Sequence, residues 1–217
     1  MNFLRGTGMT SDRTRARMTE RLREEGIRDP RVLAAIAAVP RHVFVDEALA
    51  QRAYDDTALP LGYGQTISQP YVVARITELA AAGRDLGKTL EIGAGCGYQV
   101  AVLAQMSAEV YGIERIAPLL QLARDHLRQL RLQRVRLKHA DGNLGLPEAA
   151  PFDTIIVSAA SAHVPKPLLD QLAPAGRLVL PLGGGGQILH VVDRAGDGFV
   201  ERDYDAVRFV PMLAGVE

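Results

Sequence analysis

Thr89-Leu90-Glu91-Ile92-Gly93-Ala94-Gly95-Cys96-Gly97-Tyr98 carries a short apolar run straight into three alternating glycines, and a helical pattern follows over 99–105. Strand, glycine turn and helix in that order form the opening unit of an α/β sheet. Glycines let the backbone approach a ligand closely, and the first crossover of such a sheet is where nucleotide-like ligands bind. The spacing is not the dinucleotide fingerprint G-x-G-x-x-G, because position 98 is Tyr, so a pyrophosphate cofactor is disfavoured.

Toward the C-terminus, short apolar runs keep alternating with helical ones, over 110–113, 118–130, 135–137, 152–157, 167–172 and 177–180. This alternation predicts crossover connections and a doubly wound, mostly parallel sheet with helices on both faces. The end differs. Residues 188–192, 199–202 and 207–210 read as strands with no helix between them, and Gly196-Asp197-Gly198 supplies a turn, so an antiparallel finish is expected.

Toward the N-terminus, residues 70–80 read as a helix with Pro70 in its first turn and Val72, Val73, Ile76, Leu79 and Ala80 on one face. Its N-terminus points back at Thr66 and Ser68. Residues 54–69 are rich in Gly, Pro, Thr and Asp with little periodicity, which predicts a long irregular segment of the kind that carries function. Earlier still, 14–25 suit a polar helix, and Asp29-Pro30 opens another through Val32, Leu33, Ile36 and Val39, which Pro40 ends. The chain reads as one domain over 1–217, with a helical extension over 1–55 and an α/β core over 56–217 that includes a substrate segment at 56–69.

With 47% hydrophobic and 23% charged residues, composition favours a folded globular chain over a disordered one. Basic and acidic residues balance at 25 each, so no general attraction for nucleic-acid phosphates or an anionic membrane is expected. Arg13, Arg15, Arg17, Arg21 and Arg23 cluster, but Glu20, Glu24 and Glu25 interleave with them, which favours a solvated helix over a nucleic-acid arm. Cys96 is the sole cysteine, which excludes an intrachain disulfide and any zinc site built from several thiolates, and fits a reducing cytoplasm. Arg5 interrupts any early apolar run, and no stretch of roughly 18 apolar residues is present, so neither export nor membrane insertion is expected. His42, His126, His139 and His190 lack ligand spacing, so no metal site is expected.

Two carboxylates reach the ligand edge of the expected sheet. Glu114 ends the second strand about 20 residues past the glycines, where it can accept hydrogen bonds from both hydroxyls of a ribose. Asp141, before Gly142, can accept from the exocyclic amine of an adenine. The alternatives are a solvated strand-end acid and an ordinary turn Asp.

Taken together, these residues resemble protein-L-isoaspartate O-methyltransferases. The resemblance rests on Gly64-Gln65-Thr66-Ile67-Ser68-Gln69-Pro70, Leu90 to Gln99, Val110-Tyr111-Gly112-Ile113-Glu114-Arg115, Asp141-Gly142, Leu168 to Leu172, Gly176-Arg177-Leu178-Val179 and Val207-Arg208-Phe209-Val210-Pro211. These stretches occur in the family's order from about Arg17 to Leu213. The glycine motif belongs to methyltransferases at large; the Thr-Ile-Ser segment and the closing Val-Arg-Phe-Val-Pro stretch are far more specific.

The resemblance implies S-adenosyl-L-methionine as methyl donor, leaving S-adenosyl-L-homocysteine. It places the donor on Gly93, Ala94, Gly95 and Gly97, its ribose on Glu114, its adenine near Asp141 and Gly142, and its methionine end near Glu91. Ser68 is implied as the active-site serine with Thr66 beside it, and Ile67, Val207 and Val210 as substrate contacts. The implied substrates are isoaspartyl-containing proteins and peptides, met by a monomer. Two departures from the family pattern are Cys96, where Ser or Thr is usual, and Asn143-Leu144-Gly145 after the Asp-Gly pair.

Methyl transfer to a carboxylate is an in-line displacement that needs no general base, since a carboxyl with a reference pKa near 4 is already ionised at neutral pH. Orientation is the main demand. Hydroxyls of Thr66 and Ser68, with the free N–H groups and positive dipole end of the following helix, form a candidate carboxylate cradle. The alternative for Ser68 is simple helix capping. Ser158-Ala159-Ala160-Ser161 is expected to line the same mouth. Rival readings are a methyltransferase acting on a small molecule or RNA, a non-catalytic peptide- or adenosine-binding domain on the same fold, and a nicotinamide oxidoreductase, which the glycine spacing disfavours.

Overall fold

The structure is a computed structural model that describes residues 6–217; the stretch containing Arg5 lies outside the described residues. Two helices lead. α1 (Asp12–Glu24) is capped by the Ser11 hydroxyl accepting from the Thr14 amide, and α2 (Pro30–Ala38) by Asp29 accepting from the Arg31 amide. Within α1 Arg15 pairs with Asp12 and Arg23 with Glu20, Arg21 donates to the Tyr54 carbonyl outside the helix, and Met18 and Leu22 face inward. Short 3-10 turns at Arg41–Phe44 and Glu47–Arg52 follow.

Residues 59–67 are not irregular, as the sequence pattern had implied. They form an antiparallel hairpin, β1 (Leu59–Gly62) with β2 (Gln65–Ile67). Tyr63 and Gly64 both take positive φ, 53° and 67°, the twist that two-residue hairpin turns require. Alternation was masked because β2 has only three residues and just Leu59 and Ile67 face the core.

Next come α3 (Pro70–Ala81), β3 (Lys88–Ile92), α4 (Tyr98–Leu103), β4 (Glu109–Glu114), α5 (Ala117–Gln129), β5 (Val135–His139), β6 (Phe152–Val157), α6 (Lys166–Asp170), β7 (Leu172–Leu182), β8 (Gln187–Ala195) and β9 (Gly198–Val207). The main sheet has the order β5-β4-β3-β6-β7-β8-β9. Strands β3 to β7 pair in parallel, and β8 and β9 add antiparallel. The chain therefore enters at β3, winds outward through β4 and β5, and returns to β6 on the other side of β3. Ligands bind outside the carboxyl ends of the strands at such a reversal.

The closing strand expected over 207–210 is corrected. β9 is one strand that ends at Val207, and residues 208–210 leave the sheet. The β8 backbone begins at Gln187 and offers nothing beyond it. The Gln187 side chain substitutes, accepting from the Phe209 amide at 2.6 Å and donating to the Phe209 carbonyl at 3.1 Å. The chain then crosses to the segment that follows β6, where Pro211 bridges Ala160.

One cluster of buried side chains runs from Met18 and Leu22 through Val73 and Ile76 to Val100, Val179 and Val191, so the N-terminal helices pack on the same core as the sheet. A second cluster on the opposite face joins Leu90, Ile92, Phe152, Leu168 and Leu178. Both layers hold the carboxyl ends of β3, β4 and β6 side by side.

Candidate active site

The glycine turn is pinned from three sides. Gly93 and Ala94 amides both donate to the Ile113 carbonyl at 2.9 Å, the Ser158 amide donates to the Ile92 carbonyl, and His126 Nδ1 of α5 donates to the Cys96 carbonyl. Gly97 has φ 88°, and a Cβ there would lie 3.2 Å from that of Ala123, so α4 and α5 can pack this closely only over glycine. The ring of Tyr98 below the turn is held edge-on by Phe44, with Arg41 stacked at 4.8 Å.

Glu91 is the unusual group here. Its side chain is 1% exposed, and Oε1 accepts from the Ser158 hydroxyl at 3.0 Å while Oε2 has no partner among the described residues. Burial pushes its carboxyl well above the usual range; the Ser158 hydrogen bond opposes the shift and the Glu114 charge adds to it. Beside it, Gln99 Nε2 is also buried without a partner. Both side chains line one narrow cavity with Thr66, Ser68, Gly93 and Ser158.

A second cavity opens on the other side of Gly93. Its walls are largely apolar, from Ile92, Ile113, Ile116, Ala159 and Met212, with Glu114 and Gly142 at the edge. A Cβ on Gly142 would fall 2.3 Å from Ile92 Cγ2, so the floor is this flat only because the residue is glycine. Glu114 is buried, accepting from the Gly95 amide at 2.8 Å and the Ile116 amide at 2.9 Å. Each carboxylate oxygen keeps a second lone pair, so hydroxyls can be accepted without displacing the amides. Asp141 does not line this cavity. Its carboxylate accepts from the Asn143 amide and side chain and from the Gly215 amide at 2.6 Å, so it ties the C-terminal segment down while Gly142 forms the wall.

A third cavity of about 350 Å³ is lined by Thr66, Ser68, Gln69, Val72, Ser158, Val207, Arg208 and Val210. Thr66, Ser68 and Ser158 belong to both this cavity and the one holding Glu91, so the two meet at those hydroxyls. Neither the Thr66 nor the Ser68 hydroxyl has a hydrogen-bond partner among the described residues. Ile67 is buried at 4% and reaches the Glu91 cavity rather than the larger one. Sequence reasoning did not single out Gln99 or Arg208. Arg208 is the one cationic residue among the described residues that line the larger cavity, and its only sequence signal was its place in the Val-Arg-Phe-Val-Pro stretch. His163 is exposed and lines none of these cavities.

Ser68 does not cap α3, and the Tyr71 amide of the helix end is already taken. Asp56 reaches across from before the hairpin, its Oδ1 accepting from the Tyr71 amide at 2.8 Å and its Oδ2 from Gln69 Nε2. Asp56→Ala should lower stability by about 1 kcal/mol, the typical value of a lost cap. A thermal melt drop of about 2–4 °C would show it for a chain of this size; an unchanged melt would mean that water replaces the carboxylate at no cost.

Cys96 lines the Glu91 cavity yet is 2% exposed, and burial pushes its thiol up to about 12. The thiolate is the reactive form. Native protein at pH 8 should therefore leave a disulfide-exchange reagent unconsumed, and unfolding in guanidinium should release one equivalent of reactive thiol. Rapid native labelling would show that the glycine turn opens.

A doubly wound sheet with a glycine turn after its first strand, an acidic residue ending the second, and a polar cavity beside an apolar one defines the class of Rossmann-like S-adenosylmethionine-dependent methyltransferases. The sequence pattern of the family described as Protein-L-isoaspartate(D-aspartate) O-methyltransferase (PCMT) matches residues 13–217, and the chain belongs to that family. Protein-L-isoaspartate O-methyltransferase of Dechloromonas aromatica is 66% identical over 216 residues, covering 99% of this chain and 100% of that protein. The protein of the same name from Aromatoleum aromaticum is 63% identical over 210 residues, covering 97% and 96%. Among solved structures, a protein-L-isoaspartate O-methyltransferase superposes with a TM-score of 0.84 at 24% identity over 93% of this chain and 67% of that one. A Plasmodium falciparum protein assigned to the same activity, in complex with S-adenosyl-L-homocysteine, gives 0.80 at 24% identity over 92% and 98%. Among the described residues, no helix is long and apolar enough to cross a membrane, and no group of three or more His, Cys, Asp or Glu could hold a metal ion.

Proposed function

We propose that this chain transfers the methyl group of S-adenosyl-L-methionine to the free carboxylate of L-isoaspartyl residues, and of D-aspartyl residues, in damaged proteins. The observation that carries the reading is the meeting of two cavities at Thr66, Ser68 and Ser158, one narrow, glycine-walled and lined by Glu91 and Gln99, the other larger and lined by Val207, Arg208 and Val210. A donor in the first and a peptide in the second would face each other across those hydroxyls.

The residues fit the donor. The unpartnered Glu91 Oε2 suits an ammonium, the flat apolar walls about Ile113, Ile116 and Met212 suit an adenine, and Glu114 keeps lone pairs for ribose hydroxyls. When bound, the donor supplies an electrophilic methyl on a positively charged sulfur. The C–S bond breaks as the O–C bond forms, with no proton to move, because the acceptor carboxylate is ionised at neutral pH.

The protein's work is alignment. Ser68 and Thr66 donate their free hydroxyl protons to the substrate carboxylate and hold one oxygen toward the donor, an orientation worth several kcal/mol, up to about 7 to 11. Arg208 adds the cationic side chain of the cavity wall and attracts the anionic group. Val207 and Val210 contact peptide backbone, which suits an enzyme that must accept varied surroundings. The reading includes a monomer acting in the cytoplasm, the latter in keeping with a single buried thiol.

The test is transfer of radiolabelled methyl from S-adenosyl-L-methionine to two synthetic peptides that differ only in an L-isoaspartyl or a normal L-aspartyl linkage. Base-labile label on the isoaspartyl peptide alone supports the reading. Label on neither peptide, with the donor still bound, overturns the substrate class and leaves the fold reading intact.

A further inference from the structure

We infer that Gln99 is the residue that reads the α-carboxylate of the methyl donor, forming with Glu91 a paired clamp for the donor's zwitterionic end. This rests on the donor assignment above and adds a residue role to it.

The argument begins with two buried atoms. Glu91 Oε2, an acceptor once its carboxyl is ionised, has no partner among the described residues, and Gln99 Nε2 is a donor without an acceptor. Gln99 is 6% exposed and Glu91 1%. An unmet buried polar group costs about 1–3 kcal/mol, so two of opposite sense lining one cavity are a strong pointer to a ligand that carries both complements. An amino-acid end does so, with an ammonium and a carboxylate on one carbon.

The spacing is set by Ser158. Its hydroxyl lies 3.0 Å from Glu91 Oε1 and 3.4 Å from Gln99 Oε1, which places the two side chains on either side of a single oxygen. Their remaining atoms are thereby held as near neighbours, as the two charged groups of an amino acid are. The chemistry also explains why an amide serves here. A lysine or arginine in place of Gln99 would pair with Glu91 and occupy the acceptor that the ammonium needs. A neutral N–H donor leaves the carboxylate available and still rewards an anion.

The cavity on the far side of Gly93 also carries Glu114 and Arg115, but Glu114 already accepts from the Gly95 and Ile116 amides and Arg115 already donates to the Gly215 carbonyl and the Glu217 carboxylate, so among the described residues no buried side-chain polar atom there lacks a partner as Glu91 Oε2 and Gln99 Nε2 do. The zwitterion therefore belongs with Glu91 and Gln99.

The test is a calorimetric comparison of three nucleosides on wild type and on Gln99→Leu, a similar-sized apolar replacement. S-adenosyl-L-homocysteine carries both charged groups, decarboxylated S-adenosylmethionine only the ammonium, and 5′-deoxy-5′-methylthioadenosine neither. Gln99→Leu should raise the Kd of S-adenosyl-L-homocysteine about tenfold or more and leave the other two nearly unchanged. Gln99→Glu, which sets one carboxylate against another, should weaken S-adenosyl-L-homocysteine further and spare the decarboxylated compound. An equal loss for all three ligands would make Gln99 a packing residue, and no loss for S-adenosyl-L-homocysteine would remove it from the site; either result overturns the inference. Failure of wild type to bind S-adenosyl-L-homocysteine would instead overturn the donor assignment itself.

Discussion

Glu91→Gln weakens S-adenosyl-L-homocysteine binding by about 10- to 100-fold, the loss expected when a buried hydrogen bond to a charged group is removed, and stabilises the unliganded protein at neutral pH. Gln keeps the oxygen that accepts from Ser158 and discards the charge. In the unliganded protein the Glu91 carboxyl is held well above its ordinary value by burial, so the folded chain keeps this proton to higher pH than the unfolded chain does. Its contribution is therefore fully present below the unfolded value near 4.5 and is lost as pH rises through the raised folded value. The melting temperature of Glu91→Gln should accordingly gain on that of wild type as pH climbs from acid to neutral. Binding an ammonium favours the ionised carboxylate, so wild type should release a proton on binding. That release appears as a binding enthalpy that varies with the buffer's ionisation enthalpy, and the variant should lack it. Equal affinities together with parallel melting curves would show that Glu91 is a passive wall.

Ser68→Ala lowers turnover on an isoaspartyl peptide by about 10- to 100-fold while the Kd for the donor stays nearly the same. The estimate sits below the roughly 100- to 1000-fold cost of losing an enclosed oxyanion donor, because this cavity opens to water that can replace part of the interaction. The Ser68 hydroxyl has no partner among the described residues, so its removal breaks no bond of the resting protein and the melt should hardly move. Ser68→Thr, which retains the hydroxyl, should recover part of the rate. Abolished donor binding in Ser68→Ala would move the serine to the donor site, and undiminished turnover would leave Thr66 as the positioning group.

Much of this architecture was legible in local sequence. Apolar runs of four to six residues alternating with helical periodicity can be satisfied only by a layered sheet with crossovers, and the glycine turn marks where that sheet opens. The N-terminal Pro70 of α3 was equally readable, since a ring that lacks an N–H fits the first turn of a helix. The hairpin over 59–67 was less visible. Strands this short carry too few alternating positions to signal themselves, and their pairing depends on a positive-φ Tyr63 that propensity does not favour.

The sequence by itself determined the fold class, the glycine turn after the first strand of the sheet and the acids at the strand ends, because each is encoded within a few neighbouring residues. Tertiary structure alone decided how those acids are used. Asp141 was legible as a strand-end carboxylate, but its engagement by Gly215, 74 positions away, turned it into a tether. Ser68 was legible as a residue before a helix, but Asp56, 15 positions before the amide it caps, freed the hydroxyl. Glu91 and Gln99 became a pair only where β3, α4 and β6 converge and Ser158 stands between them. The physical reason is common to all three. A side chain's partners, and hence its protonation and free valences, depend on what long-range packing brings within about 3 Å, the reach of a hydrogen bond.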